Sequence, residues 1–209
     1  MSRPDPDKLD LKKTDAYRAK RGEFRILDLP SQGYLAIDGE GDPNTAAFGE
    51  AVEALYPLAY ALKFASKGEG RDFVVMPLEG LWWADDMAAF TRARDKSRWS
   101  WTLLILQPGW IDAGRLEEAR AAVARKGTAS ARSAEVRFES LDEGRCVQTL
   151  HLGSFDDEAP VLARMHDEFI PAHGLVMTGR HHEIYLSDPR RTAPARLRTI
   201  LRQPVASAP

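Results

Sequence analysis

The chain has 209 residues, of which 44% are hydrophobic and 29% are charged, and its net charge is −2 at pH 7. This composition is typical of a folded globular protein, and the near-neutral charge argues against recruitment of nucleic acid by bulk electrostatics. The one cysteine, Cys146, excludes internal disulfides and a cysteine-rich zinc site. No apolar run approaches the roughly 18–20 residues of a membrane span, and Met1–Asp7 lacks the apolar core of a signal peptide. We therefore expect a cytoplasmic protein that is not membrane-bound.

The N-terminal part of the chain divides into a polar arm and the start of an apolar pattern. Residues 1–20 are rich in Lys and Asp and predict a loose arm, with a short helix around Lys12–Arg18. Residues 21–209 are expected to form a single domain. Arg25–Leu29 and Gly33–Asp38 predict a first strand pair, or one strand bent at Pro30.

The rest of the first half alternates helical and strand patterns. Apolar residues recur at helical spacing within Ala46–Phe64, and Pro57 lies inside that pattern, which predicts a kink or a break there. The following elements are predicted, in order, as a strand over Phe73–Trp83, a charged connection over Ala84–Arg98 with at most a turn of helix, a strand over Trp99–Leu106 and a helix over Asp112–Lys126.

The second half repeats this order after a Ser/Ala/Gly linker. Strands are predicted over Arg137–Leu141 and Cys146–Leu152, a helix over Asp156–His173, and strands over His182–Leu186 and Arg196–Arg202. Both halves thus follow the order strand, helix, strand, strand. This repeated order is the first indication of a duplicated module.

Local similarities support this duplication. Ala36–Asp42 matches Leu150–Asp156, Leu104–Pro108 matches Ile200–Pro204, and the repeats cover about 21–127 and 134–205. Glu79 falls opposite Glu183 between these anchors. The prediction is an α+β fold in which two strand-helix-strand-strand modules form a pseudo-two-fold antiparallel sheet, with helices on one face and a central ligand cleft. Glu79 and Glu183 would approach each other in that cleft.

These two glutamates are the main candidates for function. Each occupies an apolar, aromatic strand, where an isolated ionised carboxylate would cost several kcal/mol. Strand alternation places Glu183 and Tyr185 on one face, and the apolar Ile184 on the other is expected to face the helices. The alternatives are a solvated Glu183 paired with Arg180 or Arg198, and a Glu79 bound to backbone amides at a bulge before Gly80.

Aromatic residues supply the candidate walls of the cleft. Four of the five tryptophans lie in two neighbouring strands, and we expect Trp101 and one of Trp82 and Trp83 to line the pocket. Tyr56 and Tyr60 lie one helical turn apart and could lean over the rim of the cleft. The alternative for each of these residues is ordinary packing in the core or between helix and sheet.

Other chemistry is poorly supported. His181 and His182 are adjacent in a strand and therefore point to opposite faces, so no metal site is expected. The sequence has no Gly-x-Ser-x-Gly elbow and no glycine-rich phosphate loop, which argues against acyl-enzyme chemistry and phosphoryl transfer.

Four segments resemble the GyrI-like small-molecule-binding proteins, and in particular their stand-alone bacterial branch. The segments are Tyr56–Phe64, Val75–Trp83, His181-His-Glu-Ile-Tyr-Leu-Ser-Asp-Pro-Arg-Arg191 and Leu201–Val205, and the similarity covers roughly residues 20–205. The resemblance implies the same duplicated fold and a central glutamate in an aromatic pocket, at the position of Glu183. It also implies binding of cationic drugs, as in regulator relatives, or hydrolysis of cyclopropane-bearing DNA-alkylating natural products, as in some stand-alone members.

Two functions are therefore expected as alternatives. In the first, a flat hydrophobic aromatic molecule stacks in the cleft, Glu183 activates water as a general base, and Tyr185 or Tyr60 donates a hydrogen bond to a carbonyl, with no cofactor. In the second, Glu183 neutralises a lipophilic cation without catalysis. Only about 20 residues precede the fold, so no attached DNA-binding domain is expected. Inhibition of a large enzyme such as gyrase ranks last, and the chain is expected to be a monomer or a weak homodimer.

Overall fold

The computed structural model describes residues 8–85 and 95–209. Part of the predicted arm (1–7) and most of the charged connection (86–94) lie outside the described residues. The strands are β1 (Arg25–Leu29), β2 (Gln32–Glu40), β3 (Glu79–Trp83), β4 (Ser100–Leu106), β5 (Arg137–Leu141), β6 (Gly144–Leu152), β7 (Leu175–Met177), β8 (His181–Tyr185) and β9 (Arg198–Ser207). The helices are α1 (Ala46–Gly68), α2 (Ala113–Arg125), α3 (Ala159–Ala163) and α4 (Ile170–Ala172), and a π-helical stretch, Arg164–Phe169, joins α3 to α4.

The strands form one antiparallel sheet whose order reflects the duplication. That order is β1-β6-β9-β8-β3-β4-β2-β5, and β7 pairs with the far end of β9. The two repeats contribute β2, β3, β4 and β6, β8, β9, so that β3 and β8 meet at the centre of the sheet. The predicted fold class is confirmed.

The strand register agrees with the anchors of the repeat. Ala36 pairs with Leu104 in the first module, and Leu150 pairs with Ile200 in the second. Within each repeat, the two segments that resemble the other repeat thus pair with each other. The sequence similarity between the halves therefore reflects equivalent positions in the sheet.

The outer strands are exchanged between the repeats, so of the two predicted alternatives, a first strand pair or one strand bent at Pro30, the strand pair was wrong. β1 pairs with β6 rather than with β2, and β5 pairs with β2 rather than with β6. The connections β1–β2 and β5–β6 consist of residues 30–31 and 142–143. Although they are short, they do not close hairpins; each leads from one half of the sheet to the other. Nothing in the strand patterns alone distinguishes these two pairings.

Two predicted helices differ from expectation. α1 is continuous over 23 residues with Pro57 inside it, so of the predicted kink or break the break is absent. The long predicted helix Asp156–His173 is instead a succession of short pieces: a 3-10 turn, α3, the π-helical stretch and α4. Pro160 starts the α-helical part and Pro171 lies near its end, where a missing N–H disturbs regular pairing.

The described helices and the described part of the arm pack on opposite faces of the sheet. Phe48 of α1 packs against Trp82 and Trp101, and Met165 and Ile170 pack against Val147 and Leu201. We call the side that carries these helices the helical face.

The arm covers part of the opposite face. Ala16 and Tyr17 are only 6% exposed, and the Ala16 carbonyl accepts a hydrogen bond of 2.7 Å from Arg202 Nη2. Leu9 forms a bridge with Phe73, and two 3-10 turns, Leu11–Lys13 and Asp15–Tyr17, replace the predicted short helix. The described part of the arm is thus docked on the domain rather than loose.

Candidate functional site

The centre of the helical face holds a carboxylate opposite a glycine. Glu183 of β8 pairs with Gly80 of β3. A Cβ atom at position 80 would lie 2.8 Å from Trp82 Nε1 and 3.0 Å from Tyr185 Oη, so an alanine there would displace one of these groups. Gly80 therefore provides the space in which these side chains gather beside the carboxylate.

Three neighbouring groups surround Glu183. Tyr185 Oη donates a hydrogen bond of 2.9 Å to Glu183 Oε2 and accepts one of 2.9 Å from Trp82 Nε1. His181 Nε2 lies 3.5 Å from Glu183 Oε1, which is within ion-pair distance but longer than a good hydrogen bond. The Glu183 side chain is 14% exposed, and no lysine or arginine in residues 8–85 or 95–209 forms an ion pair with it. Oε2 is thus engaged, and Oε1 faces the imidazole.

Aromatic rings build the surroundings of this carboxylate. Trp82 stacks against Phe48 of α1 at a centroid distance of 6.2 Å, and Trp99 meets it edge-on at 5.8 Å. Phe155, from the 3-10 turn before α3, meets Tyr185 edge-on at 5.6 Å and is 39% exposed. The site therefore lies between α1 and the segment around α3, where the carboxylate is largely buried.

The tyrosine is held in its neutral form. Burial, followed by the charge of Glu183 and the hydrogen bond to it, raises the pKa of Tyr185 well above its ordinary value. The Tyr185 hydroxyl donates its proton to the hydrogen bond with Glu183, so the expected donation to a substrate carbonyl would have to replace this bond. In the present geometry Tyr185 orients the carboxylate.

Two histidines extend the site away from the tyrosine. The rings of His166, from the π-helical stretch, and His181 are 6.0 Å apart, edge to face. Burial, followed by the neighbouring His181, lowers the pKa of His166 to about 4, so this ring is neutral at pH 7. Within the described stretches, His166 Nε2 and both ring nitrogens of His181 are buried without a hydrogen-bond partner.

The predicted orientation of β8 was wrong. Glu183 and Tyr185 lie on the helical face, together with Trp82, and Ile184 lies on the opposite face. Ile184 is fully buried there, in the same apolar cluster as Ala16 of the arm. The prediction assumed that only the helical face is covered, whereas the arm makes part of the other face apolar as well.

Glu79 does not line the cleft. It pairs with Ile184, one position away from Gly80 and Glu183, and this single step puts its side chain on the opposite face. Glu79 is fully buried, accepts a hydrogen bond from the Tyr17 hydroxyl, and lies 2.9 Å from His182 Nε2. The two glutamates therefore belong to different sites, and Glu79 binds side chains rather than the backbone amides of a bulge.

A buried ionic network continues from Glu79 across the opposite face. His182 Nδ1 lies 2.9 Å from Glu143 Oε1, and Arg202 Nη1 donates to Glu143 Oε2 at 3.0 Å. Burial alone would lower the pKa of His182, but the charge and hydrogen bond of Glu143 and the hydrogen bond to Glu79 raise it to about 9. Burial alone would raise the pKa of Glu143, but His182 and Arg202 lower it to about 2. The network is thus a mutually neutralising structural cluster.

The other predicted site residues are dispersed. Trp101 is fully buried beneath Phe48, and its Nε1 donates to the Gly41 carbonyl at 3.3 Å, so it supports the cleft from below. Trp83 lies on the opposite face under the Arg180 guanidinium, 3.5 Å from the ring centroid.

The two tyrosines of α1 form an aromatic row with the next turn of the helix. Tyr56 is half-buried, and its ring lies 6.4 Å from that of Tyr60, which is 48% exposed and stacks on Phe64. Tyr56 is thus the more buried of the two, and the position of both tyrosines at the rim of the cleft stays a prediction.

Sequence reasoning missed several members of the site. Phe48, Phe155 and His166 were not singled out as members of the site. Gly80, inside an otherwise bulky aromatic strand, was the available signal, since a glycine there marks a place where other groups approach the backbone closely.

Two surface cavities lie away from this cleft. One of about 220 Å³ lies between α1 and α2, and its lining includes Ala61 and Arg115. The other, of about 330 Å³, opens on the opposite face beside Glu143 and Arg180. Neither is lined by Glu183, so we assign the candidate site from the buried carboxylate and its neighbours rather than from cavity size. No helix within the described parts of the chain is long and apolar enough to cross a membrane.

Comparisons with known proteins agree with this architecture. A hydrolase from Listeria innocua is similar over 95% of this chain and 100% of its own, with 36% identity and a TM-score of 0.82. An uncharacterized conserved protein from Listeria innocua has 38% identity over the same shares and a TM-score of 0.84. The C-terminal domain of EcmrR matches 89% of this chain and 98% of its own at 10% identity and a TM-score of 0.53, which shows the fold alone.

No curated protein gives a significant match. The GyrI-like small molecule binding domain family, in contrast, matches residues 22–206, which include the sheet except for the last residue of β9, together with α1 and the segment around α3. The chain therefore belongs to the GyrI-like small molecule binding domain family.

Proposed function

We propose that the protein binds a flat, hydrophobic aromatic small molecule beside Glu183 and hydrolyses an electrophilic cyclopropane in it. The observation that carries this proposal is a carboxylate only 14% exposed, surrounded by aromatic rings, without a lysine or arginine partner among the described residues. Burying such a group costs free energy, and a cost of this kind is typical of functional sites. The family supplies small-molecule binding as the general activity.

The arrangement suits general-base catalysis on water. Tyr185 occupies Oε2, which leaves Oε1 as the atom that would take a proton. The water oxygen would form a bond to a ring carbon as a strained carbon–carbon bond breaks. The electron pair of the broken bond would pass to a conjugated carbonyl, whose oxygen is then protonated. The net reaction is addition of one water molecule, and it needs no cofactor.

The similarity to a protein described as a hydrolase supports a hydrolytic reaction. It does not identify the substrate, so the cyclopropane rests on the resemblance of the His181–Arg191 segment to stand-alone members of the family. The remaining alternative is a binding module in which ionised Glu183 neutralises a lipophilic cation. The same lack of a lysine or arginine partner favours that alternative, because a bound cation would supply the missing positive charge.

One experiment separates the two functions. Purified protein is incubated with an excess of a cyclopropane-bearing, duocarmycin-like alkylator, and the ring-opened hydrate is followed by mass spectrometry. Hydrolysis predicts many equivalents of product per protein. Quenching of tryptophan fluorescence at one equivalent, without product, would overturn the hydrolase proposal and leave the binding module.

A further inference from the structure

We propose that His181 and His166 form a hydrogen-bonding end of the cleft that selects ligands carrying an adjacent donor and acceptor, such as an amide. This inference rests on the proposed function, since it concerns the ligand of the same site. It adds a polar requirement to a cleft that the aromatic rings alone would make tolerant of any flat molecule.

The first observation is the lack of partners for buried ring nitrogens. The His181 side chain is 10% exposed, and neither of its nitrogens has a hydrogen-bond partner within residues 8–85 and 95–209. His166 Nε2 is buried in the same condition. Buried polar atoms are nearly always satisfied, so three such atoms in one place need an explanation.

The second observation is the position of these atoms. His181 and Glu183 point to the same face of β8, and Nε2 lies 3.5 Å from Oε1. The His166 ring approaches His181 from the π-helical stretch, on the side of the cleft opposite to α1. π-helical turns often occur at functional sites, because the extra residue re-aims a side chain.

The chemistry of the ligand follows from the groups available. A neutral imidazole offers one N–H donor and one acceptor, and a carboxylate offers acceptors only. A ligand group with both an N–H or O–H and a carbonyl would therefore satisfy the ring nitrogens and leave Glu183 Oε1 for the water of the proposed reaction. A purely apolar ligand, or a cation without hydrogen-bonding atoms, would leave the histidines unsatisfied. Sites of this kind reject analogues that lack the polar group.

The alternative is that the two rings merely pack against each other. In that case replacing His181 by a ring of similar size without nitrogen would leave ligand preference unchanged. The two cases are separable by ligand binding alone, which makes the test independent of catalysis.

The test compares three probes by NMR-detected binding to the full chain. Indole-2-carboxamide has donors and an acceptor, its 1,N,N-trimethyl derivative keeps the carbonyl but has no N–H, and tetraphenylphosphonium has no hydrogen-bonding atom. We expect the wild type to prefer the amide over the trimethyl derivative by at least tenfold. His181→Phe should reduce this preference to within about twofold and leave the affinity for tetraphenylphosphonium unchanged.

Controls keep the outcome interpretable. His181→Gln, whose amide supplies a donor and an acceptor, should retain part of the preference, and exposed His173→Phe should retain all of it. Thermal unfolding confirms that each variant is folded. An unchanged preference in folded His181→Phe would overturn the inference.

The two proposals fail differently. If tetraphenylphosphonium binds in a Glu183-dependent manner but the wild type does not distinguish the two indoles, Glu183 is part of the ligand site and the histidine inference is overturned. If none of the three probes binds, the proposed function fails, and the inference fails with it.

Discussion

Glu183 is defined by its immediate neighbours rather than by its residue type. Its position opposite Gly80 leaves room for the Trp82 indole and the Tyr185 hydroxyl to meet beside it. Together they hold one carboxylate oxygen and leave the other facing His181. Glu79, one step away in register, has its oxygens used by other side chains and is structural.

Replacing Gly80 by alanine tests this local arrangement. The added Cβ would meet both Trp82 Nε1 and Tyr185 Oη, so their hydrogen bond should be lost and Glu183 should be released from its position. A small misplacement of a catalytic group costs roughly ten- to a hundredfold in rate, and we expect a loss of that size in turnover. Gly49→Ala on α1 is the control, because no atom lies within 4 Å of its added Cβ. Equal turnover in the two variants would argue against the assigned geometry.

The described part of the N-terminal arm contacts the central strand β3. Tyr17 donates its hydroxyl to the buried carboxylate of Glu79, which belongs to the central strand β3. Tyr17→Phe should lower the free energy of unfolding by about 1–3 kcal/mol, because it removes the hydrogen-bond donor of a buried carboxyl group. Tyr60→Phe, at a side chain that is 48% exposed, should change it by less than about 0.5 kcal/mol. Chemical denaturation measures both, and equal effects would mean that the arm does not stabilise β3.

The network around His182 makes stability depend on pH. The raised pKa of His182, about 9, compared with about 6.5 in an unfolded chain, means that its contribution is complete below pH 6.5 and is lost as pH rises through 9. Between these values the free energy of unfolding should fall by on the order of 2–3 kcal/mol.

Denaturation curves of the wild type and of His182→Gln, measured from pH 6 to 9.5, test this dependence. The variant should be less stable throughout, and its slope in this window should be much smaller. Exposed His173→Gln should keep the wild-type slope. The same fall in the His182→Gln protein would show that other groups cause it.

At the scale of the whole molecule, the exchange of outer strands ties the repeats together. β1 of the first half completes the sheet of the second, and β5 of the second completes that of the first. Each half of the sheet therefore includes an outer strand that belongs to the other repeat. We therefore expect a single cooperative unfolding transition, with coincident midpoints for tryptophan fluorescence and far-UV circular dichroism. Two separated midpoints would indicate that the halves fold independently.

Much of this organisation could be predicted from the sequence, and the errors have a common origin. Apolar periodicity and the matched anchors predicted the duplicated strand-helix-strand-strand order, because this order depends on local patterns. The exchange of β1 and β5, the covered opposite face and the orientation of Glu183 depend on contacts between distant segments. Glu79 and Glu183 differ by one residue in register, and this difference puts their side chains on opposite faces of the sheet. Counting residues between the matched segments is not accurate enough to detect a one-residue difference.

The most direct test of the account compares two glutamine variants at the centre of the sheet. Glu183→Gln removes the base from the cleft, and Glu79→Gln changes the neighbouring buried carboxylate on the opposite face. The rate of cyclopropane hydrolysis per folded molecule should fall by roughly two or more orders of magnitude in Glu183→Gln. In Glu79→Gln it should stay near the wild-type rate, although that protein should be less stable. Wild-type turnover in folded Glu183→Gln would contradict the account.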